Sequence, residues 1–455
     1  MRILFLKQIK TMLFFTLIFF LMNISGAEKL NTVIFIKRYR DKRRLWNHCA
    51  YSIEQINDGF VISGWLGFPT EQTTGHILLI KTDFLGNIKW AKTYSEKGRI
   101  FKDERVFYVQ KTNDEGFIVA GYTYPSEFGR YDVLLIKMDT IGNIKWSKIY
   151  GGENLDIAHL VQNTKDKGYI LVGCTESFGA GNKDILLIKI DGNGNIEWAK
   201  TYGGKKDEEG YFIQQTSDNG YIIVGYTTSF GAGASDILLI RIDFNGNIKW
   251  AKTYGGKNYD YAFSVQHTPD EGFIVVGYTE SFGAGSKDIF LIKTDADGNI
   301  KWTKTFGGKG NDYAYSVHQT KDDGFIIAGY TNSFGNISGD IILIKTKKSG
   351  DVEWSKIYRI KNSDEYVYSI HQTSDGGYIA IGKINNDILI IKTENDGNIG
   401  SCKIVRNAKV CVNKYNLSPN TPNLLIISPA IESKSISILT LFYEIFTTNI
   451  CKYKF

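Results

Sequence analysis

The hydrophobic and polar positions of this chain repeat over most of its length, in most copies with a period of 52 residues. Each period contains four strand-like runs, which in one copy span residues 261–268, 272–279, 288–294 and 300–306. The first two runs are joined by Thr-Pro-Asp-Glu-Gly and the last two by Asp-Ala-Asp-Gly-Asn, both typical of tight turns. Each period therefore predicts one four-stranded antiparallel sheet.

The middle strands of each predicted sheet are apolar on both faces, as expected of strands that lie between neighbouring sheets. The outer strand places Trp250 and Tyr254 on one face and Ala251 and Thr253 on the other. Large side chains of one sheet can then meet small ones of the next. Because one sheet cannot cover both of its apolar faces, neighbouring copies must do so.

A tryptophan marks the outer strand of six copies, at Trp90, Trp146, Trp198, Trp250, Trp302 and Trp354. Gly397-Asn398-Ile399 marks a further copy, with Ser401 at the tryptophan position. Seven copies at this period predict a propeller, a solenoid or an array, and only a closed ring leaves no uncovered end. We therefore predict an all-β fold, a seven-bladed β-propeller of four-stranded antiparallel blades.

The predicted blades, called repeats 1 to 7 below, begin near residues 47, 104, 156, 208, 260, 312 and 365. An additional copy of the outer strand precedes them, because "FIKRY" (35–39) matches "WAKTY" with Phe35 at the tryptophan position. We expect residues 33–40 to pair with residues 387–393 of repeat 7 and to help close the ring. Residues 399–405 are a second candidate for the same place.

The combination of Thr-x-Asp-x-Gly-Phe/Tyr, Gly-Tyr-Thr, Asp-Ile-x-Leu-Ile-Lys-x-Asp and Gly-Asn-Ile-x-Trp resembles the bacterial and archaeal β-propeller repeat of secreted and surface proteins. The resemblance covers about residues 33–405 and implies the fold, but little about activity. A weaker resemblance is to quinoprotein-type propellers, through Asp295, Gly298 and Trp302. Those enzymes have eight blades, a calcium site and adjacent cysteines, and this sequence shows none of these patterns.

The first residues indicate export. Arg2, Lys7 and Lys10 accompany the apolar stretch 12–22, which is too short to span a membrane, and small residues lead to Ala27. We predict a signal peptide over 1–27, a propeller over 28–406 and a tail of unknown structure over 407–455; an uncleaved anchor is the alternative. Removing the three basic residues lowers the formal charge from +6 to +3, so the overall charge indicates no nucleic-acid partner.

The cysteine and histidine spacing predicts no metal or cofactor site. The five cysteines are scattered, and we interpret Cys174, which stands at a tyrosine position of the repeat, as a small buried hydrophobe. Cys402 and Cys411 are candidates for a disulfide. His318 and His371 occupy the position of Gln266 and are interpreted as polar residues lining the channel.

A residue present in every blade is needed by every blade, so the repeated tryptophans are interpreted as packing residues between blades. The repeated acids before the first and third strands are interpreted as caps of backbone amides, with a ring of ligand-binding carboxylates as the alternative. The Asp-rich turns are interpreted as hairpins rather than calcium loops.

We expect function where the repeat breaks, on the loops of repeats 1 and 2 and the basic stretch before them. The predicted ligand-binding residues are Arg40, Arg43, Arg44, Trp65, Phe68, His76, Arg99, Phe101, Arg130 and Tyr131. Arginines can bind carboxylate or sulfate groups, and aromatic faces can pack on sugar rings. No catalytic residue is predicted.

The sequence therefore favours an exported, non-enzymatic, monomeric binding scaffold, secreted, periplasmic or at the cell surface. Its partner is predicted to be a surface polymer, such as an anionic polysaccharide, or a protein. The alternative is an exported propeller enzyme or enzyme-associated domain, either carbohydrate-active or quinoprotein-like. An enzyme needs a pocketed, non-repeated set of acids or a cofactor cleft, whereas the non-repeated loop residues are basic and aromatic.

Overall fold

The strands predicted from the repeat form in the computed structural model. It describes residues 34–41, 47–67, 75–96, 103–124, 130–334, 339–360, 363–400, 405–408, 411–413, 425–427, 432–435, 438–441 and 445–449. These residues form strands and turns, with no helix among them. The predicted signal peptide and the side chain of Cys402 lie outside them.

The strands follow the sequence repeats in order. A leading strand, β1 (Phe35–Asp41), precedes repeat 1, whose strands are β2 (Asn47–Ile56), β3 (Gly59–Gly67), β4 (Gly75–Thr82) and β5 (Ile88–Glu96). Repeats 2 and 3 supply β6 (Asp103–Lys111), β7 (Phe117–Tyr124), β8 (Asp132–Met138), β9 (Ile144–Gly151), β10 (Asp156–Asn163), β11 (Tyr169–Thr175), β12 (Asp184–Ile190) and β13 (Ile196–Gly203).

The remaining repeats continue the same order. Repeats 4 and 5 supply β14 (Glu208–Gln215), β15 (Tyr221–Thr227), β16 (Asp236–Ile242), β17 (Ile248–Tyr254), β18 (Asp260–His267), β19 (Phe273–Thr279), β20 (Asp288–Thr294) and β21 (Ile300–Gly307). Repeats 6 and 7 supply β22 (Asp312–Gln319), β23 (Phe325–Thr331), β24 (Asp340–Thr346), β25 (Val352–Tyr358), β26 (Glu365–Gln372), β27 (Tyr378–Ile384) and β28 (Asp387–Thr393).

Within each repeat, consecutive strands pair antiparallel, as in the order β14-β15-β16-β17 of repeat 4. Repeats 1 and 2 form one continuous sheet through a single parallel pair, Gly75 with Asp103. The described strands thus form a propeller-like series of four-stranded antiparallel sheets.

The sheet of repeat 7 is completed by β1, which confirms the predicted pairing. β1 runs antiparallel to β28, with Phe35 opposite Lys392 and Tyr39 opposite Ile388. The competing candidate, residues 399–405, lies partly outside the described residues. Its last residue, Val405, pairs with Tyr358 of β25 and thus belongs to the sheet of repeat 6.

The tail, whose structure the sequence did not predict, contributes short strands to the outer edges of the sheets. They are β29 (Val405–Asn407), β30 (Cys411–Asn413), β31 (Leu425–Ile427), β32 (Glu432–Ser435), β33 (Ile438–Leu441) and β34 (Ile445–Asn449). In that order they pair antiparallel with β25, β21, β13, β9, β5 and β1. Each occupies an edge that would otherwise leave backbone groups unpaired.

The hydrophobic core lies between neighbouring sheets. All residues of the third strands β12, β16, β20 and β24 are buried, as expected for strands covered on both faces. One core cluster joins Ile222 and Val224 of repeat 4 to Val265 and Phe273 of repeat 5. Each sheet is therefore stabilised mainly by its neighbours.

A tyrosine near the end of the outer strand fixes every junction but the one between repeats 5 and 6. The hydroxyl of Tyr254 is buried and donates a 2.7 Å hydrogen bond to the carbonyl of Gly298, in the last hairpin of the next repeat. The same bond joins Tyr39 to Gly86, Tyr94 to Gly142, Tyr150 to Gly194, Tyr202 to Gly246 and Tyr358 to Gly397. The first of these connects β1 of the repeat 7 sheet to repeat 1.

The repeated tryptophan also packs on the next repeat, as predicted, but less deeply than a core residue. The Trp250 ring lies 6.0 Å from that of Phe273 and against Gly298, yet it remains half-buried. The fully buried residue of the junction is the tyrosine. Loss of the half-buried Trp250 side chain should therefore leave a smaller cavity than loss of the fully buried Tyr254.

One residue in each first strand is the extra residue of a β-bulge, and its side chain contacts the equivalent ring in the next repeat. We call this set the aromatic circuit: Tyr51, Phe107, His159, Tyr211, Phe263, Tyr315 and Tyr368. Neighbouring ring centroids are 5.1 to 5.6 Å apart, and Tyr368 contacts Tyr51 again.

The junction between repeats 5 and 6 offers a test of the tyrosine bond, because Phe306 stands there in place of tyrosine. We predict that Phe306→Tyr stabilises the protein by about 1 kcal/mol by donating to the Gly350 carbonyl, and that Tyr254→Phe costs a similar amount. Urea unfolding of both variants measures the difference. A Phe306→Tyr variant less stable than its parent would contradict this account of the junction.

Candidate functional site

A set of residues that differ between repeats surrounds one end of the aromatic circuit. Each is one of a cross-strand pair between the first and second strands of a repeat. The first-strand member of the pair stands two residues before the circuit residue. We call them the rim: Cys49–Trp65, Arg105–Tyr122, Ile157–Cys174, Glu209–Tyr226, Tyr261–Tyr278, Tyr313–Tyr330 and Tyr366–Lys383. Because β-bulges change the direction of side chains and are common beside functional sites, this end is a candidate binding site.

Repeats 4 to 7 line the rim with tyrosines. Six rings contact in sequence, with centroid distances of 4.6, 5.2, 5.0, 5.8 and 4.7 Å, and form what we call the tyrosine arc: Tyr226, Tyr261, Tyr278, Tyr313, Tyr330 and Tyr366. All of them except Tyr330 are only half-buried. The arc was not predicted from the sequence, because tyrosine is the commonest residue at these positions of the repeat.

Two lysines lie over the arc. The Nζ of Lys287 is 4.9 Å from the ring centroid of Tyr278 and 5.3 Å from that of Tyr313. The Nζ of Lys383 is 4.7 Å from the ring centroid of Tyr366. Lys287 also forms an ion pair with Glu280, at 3.1 Å. The arc thus combines flat apolar faces with positive charge.

In repeats 1 and 2 the rim carries an arginine. The Arg105 guanidinium lies 4.2 Å from the ring centroid of Trp65 and forms an ion pair with Asp103, which also accepts hydrogen bonds from Trp65 Nε1 and the Tyr122 hydroxyl. Burial acts to lower the pKa of Arg105, but the Asp103 carboxylate holds it above its ordinary value. Tyr131 packs against Tyr122 with a centroid distance of 5.3 Å.

In repeats 3 and 4 the rim is polar. His159 of the aromatic circuit, Cys174 and Glu209 have donor atoms that all lie within 4.8 Å of one another. The Nε2 of His159 is 2.6 Å from Glu209 Oε1, and Lys183 Nζ is 3.5 Å from Glu209 Oε2. Cys174 is fully buried, as predicted, and Glu209 and Lys183 lie near its thiol.

The ten residues predicted from sequence are only partly brought together. Trp65 and Tyr131 belong to the same cluster through Asp103 and Tyr122. Arg40 lies in β1, Arg130 is exposed beside Tyr131, and burial lowers the pKa of the half-buried His76. The others, namely Arg43, Arg44, Phe68, Arg99 and Phe101, lie outside the described residues. Their role in binding stays a prediction.

The other end of the aromatic circuit holds a polar pocket of about 600 Å³. Its lining includes Gln266, His318 and His371. That these residues line a channel stays a prediction. The two imidazole centroids are 4.4 Å apart. Burial lowers the pKa of His318 to about 4 and that of His371 well below the usual range, so both are neutral at pH 7.

The repeated polar residues make contacts within the fold. Asp295 Oδ1 accepts the backbone N–H groups of Asp297 and Asn299, which is the geometry of a hairpin cap. Lys293 of the third strand forms a 2.9 Å ion pair with Asp270 of the first turn. The same lysine or arginine to aspartate pair recurs along the chain, so these repeated positions support folding.

The acids before the third strands cap the glycine-rich loops, as predicted. Asp236 Oδ2 accepts the N–H groups of Ala232 and Gly233 at 2.9 and 3.1 Å. Its other oxygen, Oδ1, and the Asp260 carboxylate of the next repeat both lie beside Gly255. A Cβ added at Gly255 would lie 2.1 Å from Asp236 Oδ1 and 2.8 Å from Asp260 Oδ2. Burial, followed by this second carboxyl, raises the pKa of Asp236 to about 6.

Comparison with protein-family models and with curated proteins gives no match. Among solved structures, one similar chain is described as "Crystal structure of the eukaryotic initiation factor", with a TM-score of 0.29 and 8% sequence identity. That match covers 78% of this chain and 98% of the other. Among the described residues no helix has the length and apolar character needed to cross a membrane.

The carboxyl pair at Gly255 predicts a pH dependence. Since the folded pKa of Asp236 lies above its unfolded value of about 4, the folded state binds more protons, and this group's contribution to stability is lost as pH rises from about 4 to 6. We predict that Asp236→Asn, whose amide can donate to Asp260, gains about 1–2 kcal/mol relative to its parent over that range, after allowance for solvent screening.

Urea unfolding at several pH values measures this gain. Asp243→Asn is the matched control, because Asp243 caps an exposed hairpin and its pKa is lowered by backbone hydrogen bonds that outweigh its slight burial. The contribution of Asp243 to stability is present above pH 4. The difference in unfolding free energy between this control and the parent should therefore stay constant between pH 5 and 7. A flat curve for both variants contradicts the raised pKa.

Proposed function

We propose that this protein is an exported, closed, seven-bladed β-propeller that binds an anionic polysaccharide at the rim and has no enzymatic activity of its own. The observation that carries the proposal is the tyrosine arc with Lys287 and Lys383 over its rings. Export and the monomeric state are proposed from the sequence.

Closure is supported by contacts between the two ends of the repeat series. Tyr368 of repeat 7 contacts Tyr51 of repeat 1 at 5.5 Å, which completes the aromatic circuit. Tyr39 of β1 donates to Gly86 as the tyrosines of other junctions donate to the next repeat. The backbone N–H of His48 donates to the Asn386 carbonyl at 2.7 Å.

An anionic sugar polymer fits the rim better than an apolar or a cationic ligand. Half-buried tyrosine faces offer apolar area for sugar rings and hydroxyls for their polar edges. Lys287, Lys383 and Arg105 supply donors for carboxylate or sulfate groups. The rim residues stand on strands rather than on loops, so the site is preorganised for its ligand.

The enzymatic alternative finds less support at the rim. A glycosidase needs two carboxyl groups, one of them protonated at working pH. Burial would raise the pKa of Glu209, but hydrogen bonds from His159 and its other neighbours lower it to about 2. Glu209 therefore stays ionised at neutral pH and is unsuited to act as a general acid.

We predict that Lys287→Gln combined with Lys383→Gln lowers retention of the purified protein on an immobilised acidic polysaccharide by about tenfold at low salt. Binding of the parent should weaken steeply with added salt, since exposed charges are screened. The matched control is Lys205→Gln with Lys206→Gln, which removes the same charge from exposed positions. Equal retention of both variants, or no retention of the parent, rejects the proposal.

A third variant separates the rim from the sector predicted by sequence. It replaces Arg43, Arg44, Arg99 and Arg130 with serine and leaves the tyrosine arc intact. Under the rim proposal this variant should retain the polysaccharide nearly as well as the parent. Loss in this variant alone would place the ligand on repeats 1 and 2 instead.

A further inference from the structure

Three side chains with different donor atoms meet where repeats 3 and 4 adjoin. They are the imidazole of His159, the thiol of Cys174 and the carboxylate of Glu209, whose donor atoms all lie within 4.8 Å of one another. His159 stands at the bulge of β10, Cys174 near the end of β11 and Glu209 near the start of β14. Two neighbouring sheets thus bring them together at the rim.

The three residues break the repeat at the same place. The equivalent circuit residues in repeats 2 and 5 are Phe107 and Phe263, and the residue equivalent to Cys174 is Tyr226 or Tyr278 in the following repeats. The position of Glu209 holds tyrosine in repeats 5, 6 and 7. Aromatic residues therefore satisfy the fold at all three positions, and packing alone does not require nitrogen, sulfur and oxygen donors there.

We propose that His159, Cys174 and Glu209 form a site for a divalent transition metal ion, with zinc as the best fit. Imidazole, thiolate and carboxylate together are zinc ligands, and three protein ligands leave a fourth position open. The His159 and Glu209 side chains are 19% and 13% exposed, so an ion can reach the cluster from solvent. This proposal is independent of polysaccharide binding.

The geometry requires only a small adjustment. Donor atoms around a tetrahedral zinc ion lie about 3.3–3.8 Å apart, which follows from bond lengths near 2.0–2.3 Å. Binding replaces the 2.6 Å hydrogen bond between His159 Nε2 and Glu209 Oε1 with two bonds to the metal. Lys183, 25% exposed, can turn toward solvent when the ion neutralises Glu209.

Binding must also remove a proton from the thiol. Burial, with the Glu209 carboxylate nearby, raises the pKa of Cys174 well above its ordinary value, so the metal-free site holds a neutral thiol. On binding, the S–H bond breaks, the sulfur lone pair forms the bond to zinc, and the proton leaves to solvent. The affinity should therefore rise with pH. The same neutral, buried thiol is a poor nucleophile, which argues against a cysteine-based catalytic role.

Cobalt is the probe for this site because its bond to a thiolate produces a charge-transfer absorption band. The test uses the full chain with Cys49, Cys402, Cys411 and Cys451 replaced by serine, so that Cys174 is the remaining thiol. We expect one equivalent of cobalt, the thiolate band and displacement of cobalt by zinc. Cys174→Ser should remove the band, and His159→Phe should weaken binding at least about tenfold.

Two variants that replace a site residue with its counterpart from other repeats should keep the fold. His159→Phe and Glu209→Tyr place at each position the residue that other repeats use, so both should unfold in urea at or near the parent midpoint. If the folded parent binds no cobalt up to about 0.1 mM, or if its band survives Cys174→Ser, the proposal is overturned. The three residues then form only a hydrogen-bonded network around Glu209.

Discussion

Each sheet of this protein has two apolar faces, and covering both faces is the constraint on which the rest of the structure depends. No single sheet can bury a strand such as β16 on both sides, so a neighbouring sheet must supply half of every core. The buried tyrosine of the outer strand then fixes the distance and register of that neighbour, as when Tyr254 donates to the Gly298 carbonyl. Because the neighbour is another copy of the same sheet, the same residues recur at the junctions, with Phe306 in place of the tyrosine between repeats 5 and 6.

The same constraint separates structural from functional positions. Ion pairs such as Lys293 with Asp270 satisfy polar groups at the turns, and loop caps such as Asp236 satisfy backbone amides, so both recur along the chain. A residue that differs from its counterparts in other repeats does not serve this shared structural role. Arg105 and Glu209 are such residues, and at the rim each contacts a residue of the preceding repeat, Trp65 and His159 respectively.

The strands, their pairing and the completion of repeat 7 by β1 could be predicted, because each depends on local periodicity and on a matching segment such as "FIKRY". The candidate site could not be predicted in the same way. Cys174 and Glu209 lie in different sheets, and only the register of β10 with β11 and the contact with β14 bring them beside His159. The tyrosine arc escaped notice for the opposite reason, since its members are the repeated residues. Aligning the repeats position by position would have shown the substitutions, but not that they meet.

A substitution at a bulge changes the chemistry of one position of the aromatic circuit with little effect on strand pairing. A bulge residue such as His159 is outside the strand-to-strand register, so its replacement leaves the ladder hydrogen bonds and the junction tyrosines in place. The rim pairs differ in the same way between repeats: repeats 4 to 7 present tyrosines, whereas Cys174 and Glu209 of repeats 3 and 4 lie beside the bulge residue His159. Because these chemistries occupy largely different repeats, each can be altered without the other, and a repeat series built for uniform packing can hold two dissimilar sites.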